Sequence, residues 1–277
     1  MSGSAQWHAL VAVQRGAGDR LPFFSVHGAG GNVLNFHPLA RKMSPRQPFF
    51  GLQALGVDGI HRPHGAIEQM AQAYLVEVRA KQPRGPYLVG GYSAGGVVAY
   101  EMACQLTAAG EAVALLALID TMHPRIPVRR MSLASRLERL REEGFAYASE
   151  ALRRPWDTAR REMELRKVER HLERGQMIPL ALRDLHLVEN FRRVVSGFDP
   201  KPWPGRPTLF RAERIPYLYR DAGSAYGWDR CAEHGVDIVH VAGDHHTVLL
   251  RRNVEPLART LGAAIERVAN AVRFDAD

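Results

Sequence analysis

The sequence predicts an α/β protein: a mostly parallel central sheet with helices on both faces, interrupted by a helical insertion. Three observations lead there. Short apolar runs alternate with helix-patterned stretches through the first 120 residues, as in chains built from strand–helix–strand units. Val113 to Ile119 is an unbroken run of seven apolar residues, as expected of a strand buried on both faces. After Asp120 the chain turns Arg/Glu/Leu-rich and helix-patterned, and strand-like sequence returns only at Thr208.

Residues 1–20 carry no helix cap or core pattern and read as a linker with a possible first strand. Phe23-Phe24-Ser25-Val26 reads as a buried strand, closed by the glycine-rich turn from His27 to Asn32. A short helix over 34–43 and a strand near 49–55 follow. A helix over 67–81 stops before Pro83, since proline excludes helical geometry from the residue ahead of it. Residues 86–91 form the next strand, and 95–109 a helix ended by Gly110. Pro124 and Pro127 then break the alternation. Leu133, Leu137 and Leu140, and later Leu182, Leu185 and Val188, recur at helical spacing. A proline-rich segment, Pro200 to Pro204, leads into a strand at 208–212. A last strand over 236–241 runs into Gly243-Asp244-His245-His246, and 254–272 reads as an amphipathic helix. The expected division is a core of 21–122 and 201–277 with an insertion of 123–200. There is no internal repeat or low-complexity tract.

The chain has 277 residues, 46% hydrophobic and 24% charged, enough for one large core with an insertion and unlike a disordered chain. No apolar run approaches the roughly 20 residues that span a bilayer. Met1 to Gln6 has neither the basic segment nor the apolar stretch of a secretory signal. Cys104 and Cys231 make no disulfide framework and match no metal spacing, so a soluble, cytoplasmic protein without metal is expected. The net charge of +8 invites a nucleic-acid reading. Most of the excess, however, lies between Thr121 and Asp199, interleaved with acids as in Arg136, Glu138, Arg139, Arg141 and Glu142. That pattern is a solvated helix face. No basic-aromatic module accompanies it, so neither nucleic acid nor membrane is an expected partner, whereas an acidic protein surface is compatible with it.

The strongest chemical signal is Gly91-Tyr92-Ser93-Ala94-Gly95, a G-x-S-x-G pattern between a predicted strand and a predicted helix. In that context it is the nucleophile elbow of α/β-hydrolases, which exposes the serine hydroxyl at the carboxyl edge of the sheet. Outside it, the same five residues are an ordinary glycine-rich turn. A serine hydroxyl needs a base. His245 lies just past the last strand and after the serine in chain order, with His246 as the competing neighbour. An acid must then fix the imidazole. Asp120 ends the strand after the elbow helix, and Glu213 follows the strand at 208–212. Each has an innocent alternative, a turn former for Asp120 and an ion-pair partner of Arg211 and Arg214 for Glu213, and the residues alone do not separate them. Acyl transfer also needs donors for an oxyanion. The backbone N–H of Ala94 follows the nucleophile, and the turn His27-Gly28-Ala29-Gly30-Gly31 offers that of Ala29. This turn lacks the Lys-Ser/Thr ending of a P-loop and the G-x-G-x-x-G spacing of a dinucleotide site.

These residues resemble the thioesterase domains that end polyketide synthases and nonribosomal peptide synthetases. The resemblance is carried by Phe24-Ser25-Val26-His27-Gly28-Ala29-Gly30-Gly31, by Gly90-Gly91-Tyr92-Ser93-Ala94-Gly95-Gly96, by Leu118-Ile119-Asp120 and by Gly243-Asp244-His245. Lesser matches are Leu209-Phe210-Arg211-Ala212 and Gly227-Trp228. It implies an α/β-hydrolase fold with a helical lid at 123–200. It also implies Asp120 rather than Glu213 as the acid, and the interval from Ser93 to Asp120 is typical of the family. Ser93 is then expected to take an acyl chain from the phosphopantetheine arm of a carrier protein and release it by hydrolysis or macrocyclisation. The phosphopantetheine belongs to that partner, so no cofactor of the chain's own is implied. The elbow and the His27 loop look more like releasing domains than editing ones, and residues 1–20 like a linker remnant. A stand-alone serine esterase, lipase or peptidase, or a non-catalytic binding module, are the competing expectations.

Overall fold

Seven strands form one sheet in the computed structural model, which describes residues 7–127, 140–141 and 144–274. They are β1 (Leu10–Gln14), β2 (Phe23–Val26), β3 (Phe49–Leu52), β4 (Tyr87–Tyr92), β5 (Val113–Ile119), β6 (Thr208–Arg214) and β7 (Asp237–Asp244). Across the sheet the order is β1-β3-β2-β4-β5-β6-β7. β1 is antiparallel to β3 and every other neighbouring pair is parallel. The helices are α1 (His37–Lys42), α2 (Ile67–Lys81), α3 (Ala94–Ala108), α4 (Phe145–Glu173), α5 (Leu180–Gly197) and α6 (Val254–Phe274).

The apolar strand runs feed two cores at once because successive side chains leave a strand on opposite faces. Phe24, Val89, Leu116 and Leu118 pack with α2 and α3. Phe23, Leu88, Leu115, Ala117 and Ile119 pack with α1 and α6 on the other face. The expected helix over 34–43 splits into a 3₁₀ turn, Leu34–Phe36, and α1, with Pro38 in the first turn of α1. Proline suits that position and disrupts a helix interior. The possible first strand within 1–20 is present as β1, a half-buried edge strand.

α4 and α5 lie between β5 and β6. On α5 the expected stripe of Leu182, Leu185 and Val188 is only half buried. The buried stripe is Leu187, Asn190, Phe191 and Val194. A polar residue sits in the middle of it: Asn190 Nδ2 donates to the His64 carbonyl at 2.9 Å. Leu133, Leu137, Arg136, Glu138, Arg139 and Glu142, together with residues 1–6 and 275–277, lie outside the described residues. Among the described residues no helix is long and apolar enough to cross a membrane.

α5 meets the loop after β2 through Phe191, whose ring stands edge-on to His27 at 4.8 Å. His27 is wholly buried. Its Nδ1–H donates to the Gly28 carbonyl, and its Nε2 accepts the Tyr74 hydroxyl at 2.8 Å. Burial, aided by His64, holds its pKa down from 6.5 to about 4. As pH falls between those values the unfolded chain takes up a proton there and the folded chain does not, so stability falls with it. The shift corresponds to roughly 3 kcal/mol. Melting temperature measured from pH 7.5 to 4.5 should therefore drop more steeply for the wild type than for His27→Gln; parallel curves would contradict this.

Candidate active site

β4 ends at Tyr92 and α3 begins at Ala94, so Ser93 alone makes the turn between them, with φ 55° and ψ −128°. A non-glycine residue held there stores about 1–3 kcal/mol of strain. Hydrogen bonds hold it: the Ser93 N–H donates to the Ile119 carbonyl at 2.9 Å, and the Gly96 N–H to the Ser93 carbonyl at 3.1 Å. The flanking glycines follow from close approach. A Cβ on Gly91 would fall 2.3 Å from the Gly95 carbonyl, and one on Gly95 would fall 2.0 Å from the His27 oxygen. Strand, helix and the loop after β2 therefore touch backbone to backbone around Ser93.

Ser93 Oγ lies 2.9 Å from His245 Nε2, and His245 Nδ1 lies 2.8 Å from Asp120 Oδ2. With the Nδ1 proton donated to the carboxylate, the Nε2 lone pair faces the serine hydroxyl. Asp120 is wholly buried. Its Oδ1 accepts the Ala212 N–H at 2.9 Å, and its own N–H donates to the Phe210 carbonyl at 2.8 Å. The two competing candidates stand apart from this chain of contacts. Glu213 is exposed; of its neighbours, Arg214 pairs with Asp244 and Arg211 lies over the Tyr226 ring. His246 is also exposed, its ring edge-on to that of His245 at 5.4 Å.

The turn carrying His245 is held from several sides. Asp244 Oδ1 accepts the N–H groups of His246 and Thr247 at 3.1 and 3.0 Å. Arg214 bonds the other oxygen at 2.8 Å and, as the main cause, lowers the Asp244 pKa to about 2. The Tyr92 hydroxyl donates to the His245 carbonyl, and its ring stacks on the imidazole with centroids 5.5 Å apart. Sequence reasoning did not find Tyr92, Asp244 or Arg214 as supports. Tyr92 contacts a residue 153 positions away, and its place inside the elbow motif was the only available signal.

Ser93, Ala94, Asp120 and His245 open on a cavity of about 410 Å3 whose walls include Val97, Met122, Ile126, Val195 and Pro216. Ala94 is the first residue of α3, so its N–H has no partner within the helix and sits at the positive end of the helix dipole. Ala29 lies in the loop after β2, which is closed by a Gly31 N–H to Gly28 carbonyl bond at 3.0 Å. It packs against the α3-side core and is not a wall of the cavity. Larger hollows occur beside Asp19 and Glu266 and beside Trp7 and Val76, but neither contains this set of groups. Among the described residues no cluster of His, Cys, Asp or Glu could hold a metal ion.

The chain is 28% identical to microperfuranone synthase of Emericella nidulans over 96% of its own length and 30% of that protein's. It is 39% identical to atromentin synthetase of Tapinella panuoides over 42% of its length and 12% of that protein's. The chain thus spans less than a third of either relative. Among solved structures, the thioesterase domain of NocB in covalent complex with a fluorophosphonate nocardicin G analogue superposes with a TM-score of 0.67. It covers 94% of this chain and 98% of its own at 24% identity, a likeness of fold. A family model described as the thioesterase domain matches residues 22–265, from the start of β2 into α6, and on that match the chain belongs to the thioesterase domain family.

Proposed function

We propose that the chain is a serine thioesterase that releases an acyl chain, polyketide or peptide, from the phosphopantetheine arm of a carrier protein. The observation that carries this reading is the unbroken contact Ser93–His245–Asp120 at 2.9 and 2.8 Å, facing a largely apolar cavity. As Ser93 Oγ bonds the thioester carbon, its proton passes to His245 Nε2, and the imidazolium is stabilised by Asp120. The C–S bond then breaks and the departing sulfur takes that proton. Water, or a nucleophile within the chain, next attacks the acyl-enzyme, with His245 receiving its proton and returning it to Ser93. The Ala94 N–H, on the cavity wall, stabilises the tetrahedral oxyanion; the Ala29 N–H, which the resemblance implies as second donor, belongs to a residue set back from that wall. The chain itself supplies all of these groups, and the phosphopantetheine comes with the partner. Residues 123–200 act as a lid on the core of 21–122 and 201–277; Phe191 and Val195 of α5, touching the His27 loop and the cavity, support this.

The test presents one acyl group on a carrier protein, on a small thiol and on a simple alcohol. Cleavage of the two thioesters should exceed that of the alcohol ester by at least about tenfold in kcat/KM, a transition-state discrimination of about 1.4 kcal/mol. Equal rates on all three would point instead to a general esterase.

A further inference from the structure

We propose that His123 is a specificity-determining residue of the acyl cavity, donating its Nε2–H to an oxygen acceptor, a carbonyl or hydroxyl, carried by the acyl chain. The inference rests on the reading of Ser93 as the acyl-accepting residue. His123 follows Asp120 by three positions and lines the same cavity. It is 5% exposed. Its Nδ1 accepts the Arg125 backbone N–H at 3.1 Å, so in the neutral ring the proton sits on Nε2. The ring is fixed in place: it stands edge-on to Trp228 at 5.2 Å, and its backbone N–H donates to the Tyr226 carbonyl at 3.0 Å. Burial, with Arg230 and Arg125, lowers its pKa against the opposing pull of Asp199 and Asp229, and the imidazole is neutral near pH 7.

Among the described residues Nε2 has no protein partner. It is not one of the enclosed, unpartnered nitrogens, which include His64 Nδ1 and His186 Nε2. Much of the surrounding wall, Val97, Met122, Ile126, Val195 and Pro216, offers no acceptor side chain; apart from Ser93, Asp120 and His245, the polar side chains lining the cavity are Tyr219 and His246. A donor in such surroundings discriminates strongly, because an all-methylene chain strips away its water and returns nothing. The acyl group that fits is therefore largely apolar, with one oxygen where the chain passes His123.

Matched acyl thioesters of a small pantetheine-like thiol test this, one series with a ketone or amide carbonyl scanned along the chain and one with methylene in its place. Wild type should prefer the carbonyl form at one position by about 10–100-fold in kcat/KM. His123→Phe should collapse that ratio to near one, and His123→Gln, which still offers an N–H, should retain part of it. A wild-type ratio near one at every position, or a ratio unchanged in His123→Phe, overturns the proposal. Affinities of the non-cleavable thioether analogues for Ser93→Ala, with and without His123→Phe, give the same ratio without turnover. If wild type cleaves neither series, it is the acyl-enzyme reading that fails, and the binding ratio still decides the role of His123.

Discussion

Replacing Ser93 by alanine is expected to cut thioester turnover by about 10⁶-fold and to abolish the acyl adduct on the protein. On the proposed mechanism nucleophile and base form a relay that works as a unit, so His245→Ala should cost nearly as much and the double variant no more. What survives is the contribution of binding and of the backbone donors, about 10³-fold over water. The fold should be untouched, because alanine keeps the backbone of the turn and adds no atoms beside the Gly91 and Gly95 contacts. Single-turnover kinetics with mass spectrometry of the intact protein reads both effects. Substantial turnover by Ser93→Ala, or an adduct that persists in it, would remove Ser93 from the mechanism.

Asp120→Asn is expected to lower the rate by about 10⁴-fold, whereas Glu213→Gln should stay close to wild type. The asymmetry follows from the contacts on Asp120. Its Oδ1 accepts the Ala212 N–H at 2.9 Å, so an asparagine would keep its carbonyl oxygen there and turn its NH₂ toward His245. That donor calls for a lone pair on Nδ1, which moves the imidazole proton to Nε2. The nitrogen facing Ser93 then carries a hydrogen and cannot act as base. Glu213 is exposed, and its amide touches nothing in this chain of proton transfers. The two variants measured side by side under kcat conditions separate the carboxylates; the opposite ordering would assign the acid to Glu213.

Much of the sheet was legible because its strands are buried on both faces. The Val113–Ile119 run could hardly be anything else, and the elbow followed from a glycine–serine pattern wedged between strand and helix signals. β1 was read only as a possible strand, although Ala9-Leu10-Val11-Ala12-Val13 is an unbroken apolar run; as an edge strand, Leu10 to Gln14 is only half buried. The helical spacing of Leu182, Leu185 and Val188 was legible, but not the buried face of α5, where Asn190 is paired to a carbonyl that no local pattern reveals. Asp120 and Glu213 were inseparable for a similar reason. Both follow the strands read from sequence, although Glu213 falls inside β6, and what distinguishes them is tertiary: full burial and an N–H from Ala212 in one case, exposure in the other. His123 and Tyr92 carry no periodic signature at all, since their neighbours lie across the fold.

The three members of the relay are not anchored alike. Ser93 and Asp120 follow β4 and β5, adjacent strands in the interior of the sheet, while His245 follows β7, its border. Border strands fray before interior ones, because half of their backbone has no neighbouring strand to open against. On the proposed mechanism, local opening at this border would separate the imidazole from Ser93 and Asp120, and so end turnover, while the interior strands remain paired.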